Sequence, residues 1–356
     1  MAEDLPVTRC RTVLLTGGSG FLGDILKKAL LQRGFRVVSV DLDKDETTSP
    51  GLISFQGDIR DVDLLDKVGE NYRFDAIFHV AAVLALAVRD SDDLWTTNTG
   101  GTRNIAEFAK KHGVPKIIFT STNALWGDGS DRPVREDDEP NPVEIYGRSK
   151  LVAEKILLEE QYQDHFKAVV FRCPTIIDSG RLGLLTILFE FIDEGRKVWV
   201  VGGGKNRYQF VYAMDLVEAL VAAVDYDKTD VFHIGSDNVP TFREAYNYVI
   251  GKAGTTARVA SLPRGLVIPA MKAAYALNLS PLGPYQYSMI AKSCVFDTSK
   301  IKTALQWAPT LTNEEMLYQA YRYYHENLGD IRHRTDGSAH RQAARMGVIK
   351  LLKWVS

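Results

Sequence analysis

Arg11-Thr12-Val13-Leu14-Leu15-Thr16-Gly17-Gly18-Ser19-Gly20-Phe21-Leu22-Gly23 decides the fold. Its first half is a short apolar run of the kind that forms a buried strand, and a helical pattern follows over residues 21–33. Glycines 17, 20 and 23 therefore fall in a strand-to-helix turn at G-x-x-G-x-x-G spacing. Glycine there permits a tight bend, a backbone that approaches a pyrophosphate, and a helix packed close to its strand. The helix start offers unpaired N–H groups and a partial positive charge to phosphates. A glycine run alone says little; its place between a strand and a helix gives it meaning. The next strand pattern, residues 36–42, carries Asp41, 18 residues beyond Gly23. An acid at that place accepts hydrogen bonds from an adenosine ribose and repels a 2′-phosphate, which favours NAD over NADP.

The same alternation continues outward from this turn. Residues 52–58, 76–82, 116–122 and 168–174 read as buried strands, and 62–68, 97–112 and 146–161 as helices between them. Near-continuous apolar strands separated by helices predict an α/β fold, a doubly wound parallel sheet of the Rossmann type. After Pro174 the rhythm loosens: 184–194, 214–224 and 241–251 look helical, 198–201 and 231–234 extended. Residues 261–284 are apolar but contain Pro263, Pro269, Pro281 and Pro284, which suits a cap over a pocket better than a strand. The predicted organisation is a dinucleotide-binding domain over residues 1–174, to which later segments return, a smaller interleaved substrate lobe over 175–330, and a basic tail over 331–356.

Composition sets outer bounds. The 356 residues are 45% hydrophobic and 25% charged, with a net charge of −2, which excludes nucleic-acid binding by bulk positive charge. Cys10, Cys173 and Cys294 are too widely spaced for a metal cluster or a disulfide framework, and the seven histidines show no metal-ligand spacing. His79 sits in an apolar strand and is expected to be a satisfied interior group. No G-x-S-x-G elbow supports hydrolase chemistry. The first residues lack a long apolar run, and the most apolar stretch, 76–88, is shorter than the roughly 20 residues of a spanning helix. A cytoplasmic protein is expected. The tail sets Arg332, Arg334, Arg341, Arg345, Lys350 and Lys353 against Asp336 alone, with Met346, Ile349, Leu351 and Leu352 as an apolar face. A docked terminal helix is the expectation for it, with membrane-surface contact as the alternative.

Tyr146-Gly147-Arg148-Ser149-Lys150 places a phenol and an ammonium four residues apart, on one face of a helix. A lysine there is expected to stabilise phenolate and draw the phenol down from about 10 toward the range of a working base. Together with Gly57-Asp58-Ile59, His79-Val80-Ala81-Ala82, Asn98-Thr99-Gly100-Gly101-Thr102 and Ser121-Thr122, in this order, the chain resembles the extended short-chain dehydrogenases/reductases. More narrowly it resembles the NAD-dependent epimerase/dehydratase family, over roughly residues 11–310, where Gln306-Trp307-Ala308-Pro309 is similar to a late family element. The resemblance implies that Gly17, Gly20, Phe21, Leu22 and Gly23 line the pyrophosphate, Asp41 holds the ribose, and Asp58 and Ile59 flank the adenine. It further implies that Ala81 and Ala82 run along the cofactor, that Asn98 supports them, and that Pro174, Ile176 and Ile177 pass the nicotinamide. Thr122 would hold the reacting oxygen, Tyr146 would be the acid/base, and Lys150 would bind the nicotinamide ribose. Thr122, Asn123, Arg207 and Tyr208 would meet the substrate.

Substrate identity rests on departures from the family pattern. Nucleotide-sugar epimerases of the family often place a diphosphate-binding arginine where this chain has Tyr208, with Arg207 one residue earlier. Either the loop shifts by one and Arg207 serves, or the contact is absent. Arg172 and Arg181 are further candidates for an anionic substrate. Trp126 stands where many relatives have tyrosine, and Glu144 where many have a small residue. Asn123 and Ala124 after Thr122 argue against the dehydratase branch, which carries an acid pair. The leading expectation is C4 epimerisation of a nucleotide-linked sugar through a transient keto form. A dehydrogenase or ketoreductase of a steroid-like, polyketide or other hydrophobic alcohol is the alternative, and a non-catalytic dinucleotide sensor the third. The family's usual homodimer, through helices 97–112 and 146–161, is expected.

Overall fold

Val13, Leu14 and Leu15 are all sealed from solvent, and their alternation sends 13 and 15 into one core and 14 into another. A strand with two buried faces requires helices on both, and the computed structural model, which describes residues 10–84, 91–277 and 289–333, has that arrangement. The strands are β1 (Thr12–Thr16), β2 (Arg36–Asp41), β3 (Leu52–Gln56), β4 (Ala76–His79), β5 (Lys116–Thr122), β6 (Lys167–Cys173), β7 (Thr175–Ile177), β8 (Lys197–Val201), β9 (Phe210–Tyr212), β10 (Asp230–His233) and β11 (Arg258–Leu262). The helices are α1 (Phe21–Gln32), α2 (Val62–Asn71), α3 (Ser91–Trp95), α4 (Thr102–His112), α5 (Ile145–Leu157), α6 (Leu185–Asp193), α7 (Ala213–Ala222), α8 (Phe242–Ala253), α9 (Arg264–Ala276), α10 (Ser299–Leu305), α11 (Asn313–Glu326) and α12 (Leu328–His333).

Seven strands form one parallel sheet in the order β10-β6-β5-β4-β1-β2-β3. The chain winds outward from β1 to β3, then restarts beside β1 at β4, so the switch point lies between β1 and β4, where such sheets bind ligands. α1 and α7 give Leu26, Leu30, Leu216 and Leu220 to one face. α2, α4 and α5 give Leu65, Ile105, Ala109 and Ile156 to the other. A third core gathers Phe189, Val198, Val200, Val249 and Leu317 from α6, β8, α8 and α11, flanked by the two-stranded pairs β8–β11 and β7–β9. Each fully buried large side chain of this kind contributes about 1.5–3 kcal/mol.

Boundaries differ from the sequence reading for local reasons. The strand expected over 52–58 ends at Gln56, because Asp58 turns the chain by accepting the Arg60 amide at 2.8 Å. α2 runs on to Asn71, started by Asp61, which caps the Leu64 amide. The helix expected over 97–112 opens with a π-helical turn, Thr96–Gly101, before α4. That expected over 146–161 stops at Leu157, and Glu160–Tyr162 forms a separate 3₁₀ turn. Ser261 and Leu262 are not part of a cap but the end of β11, and α9 follows with Pro269 inside it. Residues 281 and 284 and nearly all of the basic tail lie outside the described residues. No helix among the described residues is long and apolar enough to cross a membrane.

Candidate active site

The glycine turn fills the switch point so tightly that side chains are excluded. Gly17 has φ +79°, and a Cβ on it would lie 2.7 Å from the Ala81 backbone after β4. A Cβ on Gly23 would lie 1.9 Å from the Gly17 carbonyl oxygen. α1 starts behind Gly20, which has no side chain to cap it, so its first amides are left to meet a ligand. Asp41 closes the far wall: its carboxylate accepts the Ser19 and Asp43 amides, both at 2.9 Å, while burial raises its pKa. The β4 side is held by Asn98, which accepts the Val83 amide at 2.8 Å and donates to its carbonyl at 3.0 Å. These residues fit a dinucleotide: a bare phosphate cradle, an acid beside it, and a pinned opposite wall.

Asp58 and Ile59 differ in detail from what the resemblance implied. Arg60 grips the Asp58 carboxylate at 2.6–3.1 Å and reaches Asp93 at 2.8 Å, so although burial works the other way, Asp58 stays below the ordinary carboxylate range. Ile59 is buried against Gly101 in the core, and Ile177 is fully buried in the third core, so neither side chain faces the cleft. Strand alternation is the reason in β7, where Ile176 turns to the main core instead. Asp58 is a local partner of Arg60, two residues away, but Asp93 joins them only in the fold, so the three-residue network has no pattern along the chain.

Thr122 ends β5 and Tyr146 stands in the first turn of α5, where the Thr122 side chain lies close enough to favour the phenolate. Two neighbours bring them together. Gly147 lets α5 approach the turn after β5, for a Cβ there would lie 2.6 Å from the Ala124 carbonyl oxygen. Glu144 caps the helix, accepting the Tyr146 amide at 2.9 Å and the Gly147 amide at 2.8 Å. Ser149 then donates to the Tyr146 carbonyl at 2.8 Å and receives Asn98 at 3.0 Å, tying the tyrosine to the loop after β4.

The electrostatics correct one expectation. Burial, followed by the charge of Glu144, raises the Tyr146 phenol above its ordinary value, while Thr122 and Arg181 pull it down. Lys150 is not the group that lowers it. The ammonium lies 3.9 Å from the Phe119 ring centre and is itself pushed down to about 7 by burial. Spacing put the two on one face, but burial outweighs the attraction that adjacency promised. The Cys173 thiol, deep in the same region, is driven by burial to about 12. His79 is a satisfied interior group: its ring nitrogens meet Thr16 at 2.7 Å and Thr102 at 2.9 Å. Burial and Lys150 push it down to about 3, so Phe119 is flanked by a neutral imidazole and the Lys150 ammonium.

On the substrate side, Asn123 donates to the Tyr208 hydroxyl at 2.7 Å, and Tyr208 is buried. The two line a pocket with Trp126, Met289, Lys292 and Cys294. Arg207 is exposed and its guanidinium donates to the Val239 carbonyl, so the chain turns Tyr208, not Arg207, toward Asn123. Arg172 does not serve a substrate either: it is buried, bound to Glu154 at 2.9–3.2 Å and to the Glu136 carbonyl at 3.0 Å. Trp126 packs edge-on to His233 and Phe296 while facing the pocket. Arg181 lies over the Phe21 ring at 5.4 Å, at the rim between the glycine turn and Tyr146.

A doubly wound parallel sheet, a turn closed to all but glycine, and a threonine ending β5 beside a tyrosine opening α5 define an enzyme of the extended short-chain dehydrogenase/reductase class. The chain belongs to the NAD dependent epimerase/dehydratase family, whose model matches residues 13–235, and it is an NAD-dependent enzyme. It is 36% identical over 344 residues to the uncharacterized protein y4nG of Sinorhizobium fredii, covering 97% of this chain and 86% of that one. With a UDP-glucose 4-epimerase of Lacticaseibacillus casei it shares 29% identity over 252 residues, 63% of this chain and 76% of the relative. A UDP-glucose 4-epimerase from Thermotoga maritima, solved with UDP-glucose, has the same fold: TM-score 0.73 at 24% identity, covering 89% and 99% of the two chains.

Proposed function

We propose that this protein interconverts epimers of a nucleotide-linked sugar through a keto form of the bound sugar. The observation that carries the reading is the Tyr146 phenol set beside Thr122, with the first turn of α5 held against the turn after β5 at Gly147. NAD, when bound, supplies two-electron oxidation and reduction at the carbinol carbon and, in its oxidised form, a positive ring near the phenol. Tyr146 takes the hydroxyl proton as that carbon is oxidised and returns it on reduction; Thr122 holds the oxygen in line. A phenol kept protonated by burial suits the return step. The oxidising step needs the phenolate, which Thr122 and Arg181 favour. Gly17, Gly20 and Gly23 would admit the pyrophosphate, Asp41 the adenosine ribose, and Lys150 the nicotinamide ribose. Relatives named as UDP-glucose 4-epimerases support the sugar substrate.

The orientation of Arg207 and Tyr208 favours a second reading, net oxidation or reduction of a hydrophobic secondary alcohol. Arg207 is turned to the Val239 carbonyl while Tyr208 meets Asn123, and the small recess beside those two is lined by Trp126, Met289 and Cys294 together with Lys292 and Ser293. One experiment separates the two. The purified protein is denatured, released NAD is assayed, and UDP-sugars are screened against hydrophobic alcohols. Stoichiometric NAD with sugar interconversion supports the first reading; an empty site with net NADH formation on alcohols supports the second. Turnover that survives Tyr146→Phe refutes the proton role in both.

A further inference from the structure

α9 is thirteen residues long and not one of them is buried. Val267, Met271 and Ala274 are half-buried at helical spacing and mark its inner side. The remaining stripe, Leu266, Pro269, Ala270, Ala273 and Leu277, is apolar throughout and exposed, with Leu266 at 73% and Leu277 at 67%. A surface helix ordinarily turns charged or polar groups to water along that line. Three of the six large hydrophobic side chains exposed among the described residues, Leu266, Tyr275 and Leu277, belong to this short stretch.

The charge around the helix is equally one-sided. Residues 245–296 contain no aspartate or glutamate, although the chain has 45 of them. The same stretch holds Lys252, Arg258, Arg264 and Lys272, and also Lys292, which pairs with Asp128 at 2.7 Å on the substrate side and is not part of the face. An apolar stripe on a helix whose only charged residues, Arg264 and Lys272, are cations matches a surface that is greasy beneath and negative on top. Two other occupants fit less well. A second copy of this chain packed about a two-fold axis at α9 would bring Arg264 and Lys272 against cations of the same kind. The chain's own tail sets Arg334, Arg341, Arg345, Lys350 and Lys353 against Asp336 alone, so it too carries the wrong charge to cover the stripe.

We infer that α9 is a docking face for an anionic lipid surface, with Leu266 and Leu277 entering the headgroup boundary and Arg264 and Lys272 meeting the lipid charge. The inference holds whichever substrate the cleft takes, since it uses none of the cleft residues. The test is vesicle flotation of the full-length protein, with phosphatidylcholine alone or mixed with about a third phosphatidylglycerol. The protein is expected to rise with the anionic vesicles, to stay behind with the neutral ones, and to detach in ~0.5 M salt, where the screening length is only a few ångströms. L266E/L277E should float about tenfold less, with unchanged thermal unfolding and NAD binding. Flotation of that variant at the wild-type level would place the lipid contact elsewhere in the chain and overturn the inference. So would failure of the wild type to float, or a wild-type dimer that the variant splits, which would make a second copy the occupant.

Discussion

Gly147→Ala tests how the site is assembled. The added Cβ would sit 2.6 Å from the Ala124 carbonyl oxygen and 3.0 Å from Pro142, and ordinary contact begins near 3.4 Å. The first turn of α5 must therefore back away by about 0.8 Å. Tyr146 is the adjoining residue, so its hydroxyl moves with the turn, while Thr122 stays fixed in the centre of the sheet. Misplacing a reacting group by about 1 Å costs on the order of 10²-fold in rate. Strain of about 1–3 kcal/mol is partly offset by the roughly 1 kcal/mol that alanine gains over glycine in a helix. The expected result is a kcat lowered about 10- to 100-fold on the substrate found in the NAD-linked screen. NAD affinity should be unchanged, because the glycine turn lies on another loop, and stability should fall by no more than about 2 kcal/mol. Steady-state kinetics, NAD titration and thermal unfolding of the one variant suffice. A kcat within twofold of wild type would refute the idea that the close approach at Gly147 positions the tyrosine.

Glu144→Gln removes a negative charge that opposes the Tyr146 phenolate, so the phenol pKa falls and the rise of the oxidation rate with pH moves to lower pH. The weakened cap should cost about 1 kcal/mol, and an unmoved pH profile beside that loss would leave Glu144 a helix cap only. Lys150→Met probes the buried ammonium. Its folded pKa of about 7 lies below the ordinary lysine value, so between pH 7 and 9 the unfolded chain binds more protons, and Lys150 makes stability rise with pH by up to about 1.4 kcal/mol per unit. Denaturant unfolding at pH 7 and pH 9 should show that rise in the wild type and a flatter line in Lys150→Met; identical slopes would mean the ammonium is not buried as described.

What the sequence could reveal divides along a physical line. The glycine turn, Asp41 and the Tyr146–Lys150 spacing were legible because each is a local pattern whose chemistry depends on neighbours along the chain. β1, β2 and β5 were legible for the same reason, as unbroken apolar runs. The Arg60–Asp93 pair and the place of Arg181 over Phe21 were not, since they arise from tertiary contact; the Glu144 cap is local but its residue type is not among the strong N-cap formers. Lys150 is the instructive case. Spacing put it on the tyrosine's helix face, but the net shift of the phenol depends on how far burial outweighs neighbouring charge, and no one-dimensional pattern reports depth. The choice between Arg207 and Tyr208 turned on which way a loop rotates, and the hydrogen bonds to Val239 and Asn123 decided it.

The carboxylate at the end of β2 serves two masters. Because Asp41 receives the Ser19 amide from inside the glycine bend, it braces the bend as well as facing the ribose. Engineering a preference for the phosphorylated coenzyme by exchanging this acid for a small neutral residue would loosen the very loop that seats the diphosphate. Any such redesign must bring a replacement acceptor for that amide along with its new cation, and single-site swaps at this position should lose both coenzymes.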